Sequence, residues 1–433
     1  MAGPTRKRRT VPLAGAAVLL STLVSVPLAG TASASTVVAP PAEVLSNYEV
    51  TTGHSLDRDC GFTVPVLSSY HGAGTVPPAG ISQDLWLFCD TVDYNASNTE
   101  VGAILGTDTA AEAPLVPGEV PQDLSELPTP PARTALPEDN GPQPFLPVPS
   151  GLALPDSTSA CVGTNPSPNG VYGPASPGIY PASWITGAAN EPPGQGTNPA
   201  DVLVTFNNYC VDSETGNINT LFTAEGFGVV PYDPLTNSLG QPVYVFTSTG
   251  GQNLPRAEQL GDPVFYGGYL YVFGSQCLSS FFGVCISGEV LVARAPAAQG
   301  LWQDPSAYQW WTGSGWSPDY SDAGNLIPAA TPVAISVGNY SSVGHGFALI
   351  AESDVAGGFQ VFTATSPTGP WSLLQTGRVP NSSDCNAGEF GCYALVGHPE
   401  LSTGSELLLS YFDPVGLGHL RVAAFPWGSS STS

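Results

Sequence analysis

Short apolar runs, not helical periodicity, organise this chain. Five segments rich in β-branched or aromatic residues recur at 85–90, 202–206, 270–274, 346–350 and 407–411, each ending in small or polar residues. Their starts are separated by 117, 68, 76 and 61 residues. Each is followed by a second strand candidate, at 101–105, 221–223, 289–294, 359–364 and 419–425. Another precedes each one, at 58–64, 179–186, 258–266, 331–337 and 393–401. Gly, Pro, Asn and Ser cluster between the runs, as they do at turns between strands. Three or four antiparallel strands per unit, five times over, predict an all-β five-bladed propeller. A β-sandwich would not need five similar units, and a β-helix would need a shorter period.

One stretch breaks the rhythm. Residues 112–155 hold twelve prolines and several acids, which predicts an extended or disordered insertion, a spacer or a lid. The start of the chain differs in another way. Arg6, Lys7, Arg8 and Arg9 precede an apolar run over 11–28 and the small-residue sequence Ala32-Ser33-Ala34. That order predicts a secretory signal peptide over 1–34. An N-terminal segment at 35–49, one propeller domain over 50–427 and a tail at 428–433 complete the expected organisation. No later stretch approaches the ~20 apolar residues of a spanning helix, so the expected location is extracellular or wall-associated.

Charge narrows the partners. Beyond residue 34 the chain keeps six arginines and no lysine against 35 acidic residues, a formal charge of −29. Such a surface repels nucleic acid and anionic lipid; a neutral polymer suits it better. Eight cysteines in an exported chain suggest four disulfides. Spacing suggests Cys60–Cys89, Cys161–Cys210, Cys277–Cys285 and Cys385–Cys392, although connectivity is not determined by sequence. Oxidised cysteines and the lack of a cofactor or metal motif lead us to expect neither cofactor nor metal. A monomer is expected.

The candidate chemistry lies between two strands. If Cys60 is bonded to Cys89 on neighbouring antiparallel strands, Asp59 falls opposite Asp90. Side chains alternate faces, so the two acids would share the face opposite the disulfide. Facing carboxylates repel, and one relief is for one of them to keep its proton. A protonated acid beside an ionised one equips a glycoside hydrolase. The alternative is that Arg58 neutralises the pair. Glu258, Asp262, His398 and Glu400 fall on other inner strands and, with Arg58, would serve as substrate contacts lining the channel. Trp310, Trp311 and Trp316 are candidate surfaces for sugar rings, with Trp316 the preferred one.

At these residues the chain resembles a family. Residues 58–62 (RDCGF), 85–91, 261–274 (GDPVFYGGYLYVFG), 290–296, 312–318 (TGSGWSP), 366–372 (SPTGPWS), 397–403 (GHPELST) and 407–414 (LLLSYFDP) are similar, in order, to secreted actinobacterial five-bladed propellers that include endo-D-arabinanases. The resemblance implies an enzyme acting on the arabinan of bacterial cell walls, with Asp59 and Asp90 at the positions of its catalytic aspartates. It also shows departures. Cys89 stands where the family usually has Gly, Phe412-Asp413 stands where Asn is common, and the proline-rich stretch is atypical.

Overall fold

The computed structural model describes residues 40–67, 82–97, 99, 108–132, 136, 139–146, 179–192, 201–212, 226–247, 259–281, 284–298, 300–380, 385, 391–415 and 418–428. The expected strands at 101–105 and 221–223 lie outside these, as do the expected signal peptide and Glu258.

Five antiparallel blades follow one another, each running from an inner to an outer strand. Blade 1 is Ser55–Leu67, Ser82–Tyr94, Thr109–Pro114 and Ser125–Glu126. Blade 2 is Ile179–Asn190, Val202–Asp212, Gly226–Asp233 and Val243–Thr247. Blade 3 is Gln259–Tyr266, Tyr269–Phe281, Val284–Pro296 and Gln309–Trp311. Blade 4 is Ala334–Asn339, Phe347–Asp354, Gly358–Ala364 and Ser372–Arg378. Blade 5 is Tyr393–Gly397, Glu406–Asp413 and His419–Pro426, and its outer strand is Ala42–Glu43 from the other end of the chain. That last pairing ties the beginning of the fold to its end. The tip of the blade 3 hairpin also pairs with blade 4, Val284 opposite Asp354, and joins the two sheets.

Apolar side chains explain why the blades form a ring. Five buried clusters each bridge a different pair of neighbours. Leu85 and Leu87 meet Val202 and Val204 between blades 1 and 2. Leu203 and Val229 meet Leu270 and Val272 between blades 2 and 3. Phe273 and Val292 meet Phe347 and Leu349 between blades 3 and 4. Ile350 and Val361 meet Leu407 and Leu409 between blades 4 and 5. Leu408 and Val422 meet Trp86 and Phe88 to close the circle. The second strand of each blade buries both faces, one against each neighbour, which is why those runs read as nearly continuous apolar segments.

A backbone irregularity recurs on the inner strands. Pairing with the second strand slips near Cys60, between Ile185 and Gly187, between Gly261 and Val264, and between Tyr393 and Val396. Each slip carries a residue of positive φ: Cys60 and Gly61, Gly187, Asp262 and Ala394. A bulge of this kind bends the strand and re-aims a side chain. Blade 4's inner strand pairs without one.

Two expected disulfides are present, Cys60–Cys89 with a Cα separation of 5.5 Å and Cys385–Cys392 with 4.7 Å. Cys277 is disulfide-bonded as well. Cys161 and the side chains of Cys210 and Cys285 fall outside the description. The proline-rich stretch departs from the expectation at its start. It supplies the third and outer strands of blade 1, with Glu112 paired to Leu85 and buried. Its prolines do not interrupt the ladder, because Pro114 ends one strand and Pro117 and Pro121 lie in the connection to the next.

The outer strand of blade 1 carries the ring's most enclosed ion pair. Arg58 Nη2 meets Glu126 Oε2 at 2.6 Å, both side chains are buried, and the guanidinium lies 4.3 Å over the Phe88 ring. Glu126→Ala strands the Arg58 charge inside the blade. The expected loss is about 3–5 kcal/mol in urea unfolding. Replacing both residues with apolar ones of similar volume is expected to restore most of that loss.

Candidate active site

The bulge of blade 1 sets the site. The two strands keep the expected pairing on either side, with Arg58 opposite Thr91 and Phe62 opposite Leu87. Between them Cys60 sits opposite Phe88, so Asp59 occupies the displaced position. Cys60 and Gly61 are both left-handed, with φ of 65° and 83°. A Cβ at Gly61 would lie 2.9 Å from Leu420 of blade 5, so the position needs glycine on two counts. Asp59 and Asp90 interact, the charge of Asp59 raising Asp90, but the slip removes the direct opposition in the ladder that the strand register predicts. The disulfide, however, is not on the far face: both its sulfurs lie within 4.8 Å of an Asp59 carboxylate oxygen. The bulge breaks the alternation on which that expectation rested. The sulfurs are bonded to each other and offer no thiolate, so this trio does not form a metal site.

Each acid is held by an aromatic donor from an adjoining blade. The Tyr393 hydroxyl of blade 5 donates to Asp59 Oδ2 at 2.9 Å. Trp184 Nε1 of blade 2 donates to Asp90 Oδ1 at 2.9 Å. Asp59 Oδ1 is enclosed and has no hydrogen-bond partner. Burial pushes the Asp59 carboxyl up to about 6, against the Tyr393 bond. Asp90 rises well above the ordinary carboxylate range through burial and then through the charge of Asp59. Asp57 lies two residues back on the same inner strand and reaches about 7, again by burial and then by Asp59. Three acids therefore gather where the described chain supplies no arginine. Arg58, expected beside them, is turned away to Glu126 and cannot reach a substrate.

The other expected contacts sit elsewhere. His398 and Glu400 are brought together at Thr63, further along the blade 1 inner strand. The Thr63 hydroxyl bonds to Glu400 Oε1 and lies 2.6 Å from His398 Nδ1. His398 is fully buried against Trp86, with ring centroids 5.0 Å apart, and burial lowers it to about 3. Burial raises Glu400 to about 7. Asp84, fully buried with both oxygens unpartnered, rises through burial and through Glu400. Asp262 is consumed by the blade 3 bulge, where it faces the backbone N–H of Val337. Trp310 is buried, and Trp311 and Trp316 lie on the outer part of blade 3, away from the inner strands. Sequence reasoning missed Tyr393 and the role of Trp184. The one available signal was position: both fall on predicted inner strands, at 393–401 and 179–186.

Comparison with known proteins gives limited matches. The profile of a domain family of unknown function (DUF5005) matches residues 253–415, less than half of the chain. No curated protein matches. Among solved structures, a family 117 glycoside hydrolase of the marine bacterium Zobellia galactanivorans aligns over 90% of this chain and 89% of its own, with 9% identity and a TM-score of 0.43. A GH43_1 enzyme from Xanthomonas citri covers 87% and 92%, with 11% identity and a TM-score of 0.39. The α-L-arabinofuranosidase Arb93A of Fusarium graminearum covers 90% and 98%, with 9% identity and a TM-score of 0.38.

Several buried acids hold protons at neutrality, which makes stability depend on pH. Glu352 reaches about 8 through burial, against a bond from the Leu395 N–H, and Glu191 reaches about 7. The native state thus keeps protons that an unfolded chain releases near pH 4.5, so stability falls as pH rises from about 4.5 to 8. Thermal melts should show the highest midpoint near pH 5. Glu352→Gln should narrow the gap between pH 5 and pH 8.

Proposed function

We propose that this chain is a secreted glycoside hydrolase that cleaves an arabinan or a related cell-wall polysaccharide, with Asp59 and Asp90 as the catalytic pair. The observation that carries the reading is the pair itself: two interacting carboxylates raised to different extents by burial, with no cation among the described residues to neutralise either. Asp90 keeps its proton near neutrality and acts as general acid on the leaving oxygen. Asp59, held ionised above about pH 6 by Tyr393, serves as base or nucleophile on the other side of an oxocarbenium-like transition state. Trp184 orients the acid. The basic head, apolar run and Ala32-Ser33-Ala34 support export, and the resemblance to endo-D-arabinanase propellers supports the substrate class. A non-catalytic ring that binds a wall glycan is the second reading, favoured by the enclosure of Asp59 Oδ1.

Asp59→Asn and Asp90→Asn should each lower oligosaccharide release from purified arabinan by about 10²–10⁴-fold while glycan binding persists. Undiminished release in both variants would remove Asp59 and Asp90 from the chemistry, and no release by the wild-type chain would leave the binding ring as the better account. Activity should fall as pH drops below about 6, where Asp59 takes up a proton. Tyr393→Phe removes the donor that favours the ionised form, so the acid limb of its pH–rate profile should move to higher pH.

A further inference from the structure

Arginine is scarce here, and the described arginines are committed to carboxylates with one exception. Arg58 meets Glu126, Arg378 meets Asp354, and Arg421 meets Asp413 and Glu43. Arg294 meets no acid among the described residues, in a chain with 35 acidic residues against 10 basic ones. Its side chain is nevertheless rigidly placed. The guanidinium carbon lies 4.1 Å over the Tyr269 ring and 4.0 Å over the Trp316 ring, so two aromatic rings hold it. Nε and Nη2 donate to Gln309 Oε1 at 3.4 and 3.2 Å. Gln309 engages two of the five guanidinium N–H groups, and Nη1 donates to no group among the described residues.

The surrounding sequence builds this arrangement. Arg294 stands opposite Tyr271 on one side and Gln309 on the other, so all three share one face of blade 3. The Thr312–Gly315 turn folds the chain back and sets Trp316 opposite Trp311, with ring centroids 5.3 Å apart. Tyr269, Arg294, Gln309, Trp311 and Trp316 are all partly exposed. The acids of the neighbouring loops are engaged with serines: Asp304 with Ser306, Asp319 with Ser321, and Asp322 with Ser317. Packing alone does not call for a guanidinium at this place. Aromatic faces offset only part of the cost of desolvating a cation, and a longer apolar side chain would fill the same gap.

We propose that this face of blade 3 binds a carboxylate-bearing sugar, a uronate unit of an acidic polysaccharide, at a site separate from Asp59 and Asp90. A guanidinium fixed by two rings and an amide keeps further donors whose fork geometry matches a planar carboxylate. The flanking rings offer surface to the sugar's apolar face, and the Gln309 amide nitrogen can bond a hydroxyl. Blade 3 does not adjoin blade 1 in the ring, so the two sites are occupied independently. Trp316 thereby acquires a ligand role at a place other than the channel.

The test is affinity electrophoresis of the mature chain through gels holding polygalacturonate, a glycerol-phosphate polymer, or neutral dextran, at ~0.15 M salt where long-range repulsion is screened. The expected result is retardation by polygalacturonate alone. Arg294→Gln should weaken it at least tenfold, Arg294→Lys should weaken it less, and Asp59→Asn should leave it intact. Arabinan cleavage, measured in parallel, should not change in Arg294→Gln. Circular dichroism melts identify a variant that fails to fold, and Arg294→Lys then decides. Equal migration of wild type in polygalacturonate and dextran, retardation by the phosphate polymer instead, or unaltered retardation of a folded Arg294→Gln would each overturn the proposal.

Discussion

The site depends on one displaced residue in one strand. A regular inner strand would send Arg58 and Asp59 to opposite faces and hold Asp59 in the ladder. The slip around Cys60 frees Asp59 from that constraint, and the Cys60–Cys89 bond secures the two strands where their hydrogen-bonded pairing is interrupted. Arg58 then turns outward to Glu126 while Asp59 reaches toward Tyr393. The second disulfide acts on the same geometry from the other side. Cys392 immediately precedes Tyr393 and is bonded to Cys385 beneath blade 4, which fixes where the inner strand of blade 5 begins. Covalent links thus bracket the acid on one side and its hydroxyl partner on the other.

The middle of the ring works against the stability of the rest. Asp84, Glu400, Asp262 and Glu352 are buried carboxyls with few or no donors, and each stays neutral more readily than a free carboxylate. The five apolar clusters between blades supply the compensation. Local rules broken in a functional region and offset elsewhere are the usual pattern for proteins that bind or transform a ligand.

Much of the fold was legible because every blade repeats the same logic. Second strands are buried on both faces and therefore appear as unbroken apolar runs, and the expected segments at 270–274 and 407–411 fall inside Tyr269–Phe281 and Glu406–Asp413. The proximity of Asp59 and Asp90 was legible because a disulfide joins their two strands, although the register between them slips. What could not be read were the bulges. In blades 3 and 5 their backbone angles belong to Asp262 and Ala394, which give no glycine signal, and Gly61 and Gly187 in blades 1 and 2 are two glycines among 50. Without the bulge, the orientation of Arg58 and the position of the disulfide beside Asp59 could not be foreseen. Glu126 was hidden for another reason: it lies in a proline-rich stretch whose composition masks two strands. Trp184 and Tyr393 reach the acids across blade boundaries, a relation that strand patterns within one blade do not encode.

The inner-strand bulge is shared by four of the five blades and is occupied differently in each. The scaffold therefore offers several equivalent mounting points around one axis, of which blade 1 holds an acid and blade 5 a phenol. Exchanging the residue at such a point alters what the axis presents without disturbing the apolar seams that hold neighbouring sheets together. Divergence among rings of this type can then proceed by substitution at a handful of sockets, while the architecture stays fixed.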